Sequence, residues 1–480
     1  MSHLTVAFLF HPYFSHMLIQ SHHTVFNADL YTPVEIYLSL RNKYRKVCLL
    51  ESNDYHSRQD SKSFIGFQPL LEITLVGKTV RIHEGQKTTE HQLSSDEKQA
   101  TQLQRILSDF EFDTPRFNGF FGRASFELTL TDETHLTHFE SDLDLPTVHL
   151  FIFQYVIVID HFTNEGIVIE NSTASSFQKN TIDDFVKKNH PSSLPFELVG
   201  EEIAQYSDAE FAKIVSYAQN HVRRGDVFQL VVSNGFKQAF FGDDFQVYRQ
   251  LRRLNPSPYL FYFDFEEYRL FGSSPEAQLS IKNGIAEIHP IAGTVPKTGN
   301  EVDDAAQLAF LLQDEKENAE HTMLVDLARN DLSKDCAHVR VETYKEVQHF
   351  SHVTHLVSKV TGKLTHDRSF EALTNSFPAG TLSGTPKPRA LELIQQYEST
   401  SRDFYGGTIG LIGANGELTT AIVIRSFLSK EHVLHYRAGA GVVLDSQPEK
   451  EVQEVHHKLR ALRKALTLTA AHYSSTNAIL

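Results

Sequence analysis

Residues 207–233 read SDAEFAKIVSYAQNHVRRGDVFQLVVS, and the fold class turns on how this stretch divides. Ser207 and Glu210 stand three apart, the spacing of a capping box. In such a box the hydroxyl and the carboxylate each meet a free backbone N–H at a helix start. The box predicts a helix through His221. The residues from Asp226 to Phe240 are dense in Val, Leu and Phe and predict a strand. Downstream, a strand is expected at 259–265, a hairpin carries 269–281 into 285–291, and helices are expected at about 301–314 and 316–331. Upstream, the chain is strand-rich from Tyr31 to Phe177. Lys46–Glu51, Leu71–Val80 and Val148–Asp160 (VHLFIFQYVIVID) stand out between polar loops.

This alternation predicts an α+β protein of two lobes, each of mixed sheet flanked by helices. Residues 1–30 are expected to be an N-terminal extension and 31–180 the first lobe. Residues 181–206, mixing charge with Pro and Ser, read as a connector, 207–468 as the second lobe and 469–480 as a tail. At about 150 residues per domain, a chain of 480 has room for both lobes.

Lys and Arg total 45 against 60 Asp and Glu, a formal charge of −15. A chain this acidic, without a basic block, does not suit nucleic acid or an anionic membrane surface. Val148–Asp160 is the longest apolar stretch and falls short of the roughly 20 residues of a membrane helix. The N-terminus, MSHLTVAFLFHPYFSHMLIQ, has an apolar run but no basic n-region and no small-residue cleavage site. A cytoplasmic location is therefore expected. The residues up to about Val25 read as dispensable, with Met17 an alternative start. Two cysteines, Cys48 and Cys336, exclude a disulfide scaffold and a Cys-rich zinc site.

Four polar constellations lie in the C-terminal half. Glu317 and Glu320 sit three apart in a predicted helix, so both carboxylates leave one face. Glu451, Glu454 and Lys458 share one helical face, with Val452, Val455, Leu459 and Leu462 on an apolar one. Two helices each offering a carboxylate pair suit Mg²⁺, a hard cation that takes oxygens from protein and substrate. Solvated charged faces have the same spacing. In FPAGTLSGTPK (377–387), Thr381, Ser383 and Thr385 lead up to Pro386, which suits the first position of a helix running to Tyr397. Free N–H groups at such an end favour an anion, although a plain structural turn reads the same way. Finally, Arg437-Ala438-Gly439-Ala440-Gly441 lies between strand signals, where small residues let backbone approach a ligand.

Nucleophilic catalysis has little support. Cys48 falls in a buried-looking strand and Cys336 in a charged loop (SKDCAH), and neither sits in a Gly-flanked elbow. The 26 histidines show no HExxH pattern, and His355 lies in the strand-like run His352–Val360.

Taken in order, ten segments resemble the chorismate-utilising enzymes. They are GDVFQLVVS (225–233), NPSPYLFYF (255–263), GSSPE (272–276), HPIAGT (289–294) and EKENAEHTMLVDLARNDL (315–332), then HLVSKVTGKL (355–364), FPAGTLSGTPKPRALELI (377–394), YGGTIG (405–410), AIVIRSF (421–427) and RAGAGVVLDSQPEKEVQEVHHK (437–458). The likeness is greatest to the large subunits of anthranilate synthases. A weaker match, including LLES (49–52), covers the first lobe.

The resemblance implies the fold of that family and a reaction of chorismate with ammonia. The product passes through an aminodeoxyisochorismate to anthranilate and pyruvate, the first committed step toward tryptophan. A separate glutaminase subunit would supply the ammonia. By position, Glu320 and Glu454 match the main Mg²⁺ ligands, with Glu317 and Glu451 in support. Glu276 matches the general acid for the leaving 4-hydroxyl, a role that needs a raised pKa. Arg425 matches the residue holding the enolpyruvyl carboxylate, beside Tyr405 and the backbone of Gly439, Ala440 and Gly441. Lys458, Thr294 and Thr381 match further substrate contacts, and His355 a histidine near the ring, associated with pyruvate elimination.

Two positions divide the sub-functions within the resemblance. Isochorismate and salicylate synthases carry a water-activating Lys where this chain has Gln229, which argues for ammonia as nucleophile. Many aminodeoxychorismate synthases carry Lys in the slot of Ala292, which argues here for amination at C2. Thr385 replaces a usual Ala, and Leu260 a usual Met. The alternatives are an aminodeoxychorismate or aminodeoxyisochorismate synthase and, more remotely, a non-catalytic chorismate-binding regulatory subunit. Feedback by tryptophan is implied at Glu51, Ser52, Pro258, Tyr259 and Leu260. There a carboxylate and a hydroxyl would take the ammonium, and Tyr259 with its neighbours would pack the indole.

Overall fold

The computed structural model describes residues 16–52, 61–128, 141–174, 176–186, 194–349, 353–366 and 368–477. Two long strands organise it. Lys62–Val76 and Val148–Asp160 pair antiparallel along their length, with a register shift between Pro69 and Leu71. At about 3.3 Å per residue, each is long enough to serve two sheets. The first sheet runs outward from Lys62–Phe67 through Val47–Ser52, Tyr259–Asp264, Arg269–Ser274, Ser426–Lys430, Val433–Val442 and Gln229–Gly242 to Phe196–Ala204. On the other flank, Tyr155–Asp160 pairs with Glu165–Ser172, which pairs with Met17–Asn27. The second sheet starts from Val148–Phe151 and passes through Gly119–Ala124, Thr408–Gly413, Leu418–Ile422, Ala277–Lys282 and Ile285–Ile288. It ends on Val353–Leu364 and Cys336–His349. Val148–Asp160 is buried at almost every position, because both of its faces are covered, which is why it reads as one apolar run instead of an alternation.

The deciding stretch folds as its caps require. Ser207 Oγ accepts from Glu210 N, and Glu210 Oε2 accepts from Ser207 N at 2.8 Å. The helix Asp208–Arg224 runs three residues past His221, because Gly225, at φ 79°, supplies the left-handed C-cap. It packs with Phe245–Leu254 and with Pro448–Asn477 against the first sheet. On the last helix Val452, Val455, Leu459, Leu462 and Leu466 are buried, each contributing about 1.5–3 kcal/mol of apolar burial.

Several expectations change. The lobes do not own separate sheets: Val47–Ser52 pairs with Tyr259–Asp264 and Gly119–Ala124 with Thr408–Gly413, so each sheet draws on both halves of the chain. From the expected extension, Met17–Asn27 is an edge strand, not a dispensable leader. The connector contributes a short helix, Ile182–Phe185, and the edge strand Phe196–Ala204. The tail, through Asn477, continues the last helix. Leu71–Val80 is split by a turn at Gly77, φ 59°. Cys336 begins a strand, and Pro386 is the N-cap of the helix Lys387–Tyr397, one residue before its first turn. Residues 1–15, 187–193, 478–480 and His352 lie outside the described residues.

A buried ion trio stiffens the first sheet near the site. Glu398 lies between Arg402 (2.5 Å) and Arg437 (3.1 Å), all nearly out of solvent. Burial pushes its carboxyl up, but Arg402 and Arg437 outweigh this and hold it below the usual range. Removing one member of such a group leaves a buried charge uncompensated, at a cost of about 3–5 kcal/mol.

Candidate active site

The site forms where the chain crosses from one sheet to the other. Arg269–Ser274 belongs to the first sheet and Ala277–Lys282 to the second, and Glu276 sits in the two-residue step between them. A second crossing joins Leu418–Ile422 to Ser426–Lys430, with Arg425 at φ 49° where the strand turns. The crossings are tied together: Ile422 N donates to Glu276 O at 3.1 Å and Ser273 N to Arg425 O at 3.2 Å. This puts a carboxyl and a guanidinium side by side in the interior.

Burial pushes the Glu276 carboxyl up to about 7, although Thr381, Arg425 and Lys458 pull the other way. Thr381 Oγ1, in the turn Gly380–Leu382, donates to Glu276 Oε1 at 3.2 Å. Burial also lowers Arg425, with Glu276 opposing. His355 is pushed down to about 4 by burial and then by Arg425, while a hydrogen bond to the Gly293 backbone opposes. It is therefore a neutral imidazole near pH 7. Its register partner is Thr294. A small cleft of about 40 Å³ opens beside Glu276 and Thr381, walled by Ile288, Pro290, Leu324 and Asp331 among others. A larger hollow, about 170 Å³, lies beyond Arg437 and is lined by none of the expected site residues.

The glycine strand Val433–Val442 forms a second wall. Tyr405, pushed up to about 12 by burial, hydrogen-bonds the Gly439 backbone, and a Cβ at residue 439 would stand 3.1 Å from its hydroxyl. Lys458 Nζ donates to Gly439 O at 2.8 Å and pairs with Glu454 at 2.7 Å. Gln229 is 3% exposed. It lies over Gly441, where a Cβ would meet its Nε2 at 2.7 Å, and that nitrogen donates to Glu320 Oε1 at 3.1 Å. The two acidic helices thus reach the same strand, Glu320 through Gln229 at Gly441 and Glu454 through Lys458 at Gly439. Ala440, between them, is fully buried.

Glu451 is buried and Glu317 half-buried on the same helices. No group of three His, Cys, Asp or Glu is close enough to cage a metal among the described residues. The donors nevertheless suit a hard cation that keeps water and takes substrate oxygens beside one or two carboxylates.

Sequence reasoning missed two supports. Lys387 Nζ donates to Asp331 Oδ2 (2.6 Å) and Ser376 O (2.7 Å), clamping the turn that carries Thr381 to the helix that carries Glu320. His321, fully buried, bonds Ser358 Oγ at 2.6 Å and pins the same helix to the second sheet. A Lys directly after a Pro-Gly-rich turn was the available signal for the first; nothing local marks the second.

The residues of the implied tryptophan site also meet, away from this cleft. Tyr259 is the register partner of Ser52 and Leu260 of Glu51, with Pro258 next in line. Glu51, however, is buried, and its carboxylate accepts from Tyr248 Oη (2.6 Å) and from Arg252 Nη2 (2.8 Å). The chemistry expected of it changes accordingly: Glu51 anchors Arg252 and is not an open seat for an ammonium.

The chain thus crosses twice between two antiparallel sheets, with an acid and a guanidinium at the crossings and two acidic helices against the glycine strand. The family described as chorismate binding enzyme matches residues 46–464, and the chain belongs to it. It is 35% identical to anthranilate synthase component 1 of Bacillus pumilus, over 94% of this chain and 93% of that one. The crystal structure of anthranilate synthase component I from Streptococcus pneumoniae TIGR4 superposes with a TM-score of 0.69 at 30% identity, covering 91% of this chain and 98% of that one. The menaquinone-specific isochorismate synthase of Escherichia coli shares the fold, with a TM-score of 0.72 at 17% identity over 94% and 95% of the two chains.

Proposed function

We propose that this chain is the large subunit of an anthranilate synthase, which converts chorismate and ammonia to anthranilate and pyruvate. The observation that carries the reading is the pair Glu276 and Gln229. Burial lifts the Glu276 carboxyl to about 7, so it can hold its proton near neutral pH, and the Gln229 carboxamide has no basic lone pair with which to take a proton. One group can give a proton to a leaving hydroxyl, and the other cannot make hydroxide from water. Arg425 takes the enolpyruvyl carboxylate, and Lys458, Thr381, Thr294 and the Gly439–Gly441 backbone orient the ring. Ammonia bonds to C2, the ring double bonds shift, the 4-hydroxyl leaves as water with the proton from Glu276, and the ammonium formed at C2 loses one proton, which restores the Glu276 acid. Neutral His355 then accepts a ring proton as pyruvate is eliminated. When bound at Glu320 and Glu454, with Glu317 and Glu451 behind them, Mg²⁺ supplies charge neutralisation for the ring carboxylate. Product identification after incubation with chorismate, Mg²⁺ and an ammonium salt tests the reading. Anthranilate supports it; an aminodeoxychorismate, an accumulating aminodeoxyisochorismate, or no turnover replaces it.

The ammonia source follows from the thiols. Glutamine hydrolysis needs an activated nucleophile, and burial pushes the Cys48 thiol far up and Cys336 to about 11. The purified chain is expected to turn over ammonium salts but not glutamine, and to gain glutamine-dependent turnover from a separate glutaminase subunit in the cytoplasm. Glutamine-dependent turnover by this chain alone overturns that.

Feedback by tryptophan is the third element. Tyr259 and Leu260 pair not only with Ser52 and Glu51 but with Ser274 and Ser273, and Ser274 Oγ bonds the Glu276 backbone. A ligand that prefers one setting of this strand would act on the acid two residues on. Ser52→Phe should abolish tryptophan inhibition while sparing uninhibited turnover. Wild type indifferent to millimolar tryptophan removes the site.

A further inference from the structure

The hollow beyond Arg437 has a floor built from one sheet face. His435 and Lys237 are direct partners across the ladder between Gln229–Gly242 and Val433–Val442, and two steps along it Arg437 pairs with Gly235. Alternate residues leave a strand on one face, so these three side chains stand together around the bare Gly235. A Cβ there would come within 2.9 Å of Gln205 Oε1 and 3.5 Å of Arg437 Nε. The glycine keeps the space over the guanidinium open. The hollow holds about 170 Å³, and a cavity of roughly 150 Å³ takes a benzene-sized molecule.

Three donors face this space with hydrogen bonding to spare. Arg437 uses its two terminal nitrogens on Ser233, Glu398, Gln205 and Thr400, which leaves Nε–H without a partner among the described residues. Burial and then Lys237 push the His435 imidazole down to about 4, and no hydrogen bond among the described residues acts on it. It is neutral near pH 7 and offers one N–H. Lys237 Nζ donates to Asp142 Oδ2 at 3.1 Å and has two further protons.

Two carboxylates line the same hollow. Asp142 is matched by Lys237. Asp403 accepts from Ser141 Oγ at 2.7 Å and from Ser401 Oγ at 3.1 Å, and burial raises its carboxyl above the usual range. They leave a place for one negative charge and weigh against a second. Leu143 and Phe404, both buried, supply an apolar wall.

We propose that this hollow is a second ligand site, separate from the Glu276 cleft, for a small ring-bearing monocarboxylate. The carboxylate takes N–H groups from Arg437 Nε, His435 and Lys237, and the ring lies against Leu143 and Phe404. Gly439 and Gly441 follow on the same strand face, so an occupant that holds Arg437 also bears on the catalytic wall. The inference stands apart from the amination reading, because it concerns other residues and binding alone.

Binding of 4-fluorobenzoate to the full chain, followed by fluorine NMR, tests it. A Kd near or below about 1 mM is expected. Lys237→Met and His435→Phe should each weaken binding about tenfold or more, the loss of one hydrogen bond to a charged group. Both should melt with wild type, since Lys237 is exposed and Phe keeps the ring of His435. Arg425→Gln, in the catalytic cleft, should leave the Kd within about twofold. Benzoate should displace the probe, whereas benzamide, which lacks the charge, and inorganic phosphate, which lacks the ring, should not. No saturable binding by wild type, or a Kd unchanged in both hollow variants, overturns the site. So does binding lost in Arg425→Gln, which would place the acid in the catalytic cleft. Displacement by phosphate as effective as by benzoate overturns the ligand class.

Discussion

Glu276→Gln is expected to lower kcat by about 10²–10⁴-fold, the range a general acid contributes, with KM for chorismate nearly unchanged. The amide keeps the shape and still accepts from Thr381 but has no proton to give. The wild-type pH profile should agree in sign. The acid form is the competent one and its carboxyl sits near 7, so kcat should fall as pH rises through about 7. That limb should vanish in the residual activity of the variant. Stability moves the same way. A carboxyl whose folded pKa lies above its unfolded value makes the folded state hold the extra proton, so stability falls between about 4.5 and 7 as pH rises. The variant carries no such charge and should melt above wild type at pH 8 and lose that advantage at pH 5. Unchanged kcat, or a melting gain that does not depend on pH, would falsify the role.

Glu320→Gln should cost at least about 100-fold in turnover at low Mg²⁺, since removing an anionic ligand weakens metal affinity and leaves the substrate carboxylate uncompensated. Part of the loss should return with excess Mg²⁺. Glu454→Gln should behave alike. Glu320 accepts from Gln229 and Glu454 pairs with Lys458. Circular dichroism and melting should match wild type for both, because neither carboxylate is fully buried. Full activity of either variant in EDTA-treated buffer sinks the metal assignment.

What was legible in the sequence was local. The capping box at Ser207 and Glu210 announces its helix because hydroxyl, carboxylate and free N–H groups lie within one turn of each other. The carboxylate pairs at Glu317 and Glu320 and at Glu451 and Glu454 share faces because helix periodicity alone sets that. The glycines at 439 and 441 are visible as a place where backbone comes close. The ten segments from Gly225 to Lys458 pointed to the family, and through it to the fold.

Tertiary structure decided the rest, because strand partners and burial are not properties of a segment. Nothing within VCLLES states that it pairs with Tyr259–Asp264 across some two hundred residues, so two lobes in the sequence become two sheets that share strands. Glu276 and Arg425 look like ordinary strand-end residues until the crossings set them side by side. Burial there, a sum over many distant neighbours, lifts the Glu276 carboxyl to about 7 and lowers His355 to about 4. Glu51 looked open to an ammonium and is instead satisfied by Arg252, a residue two hundred positions away.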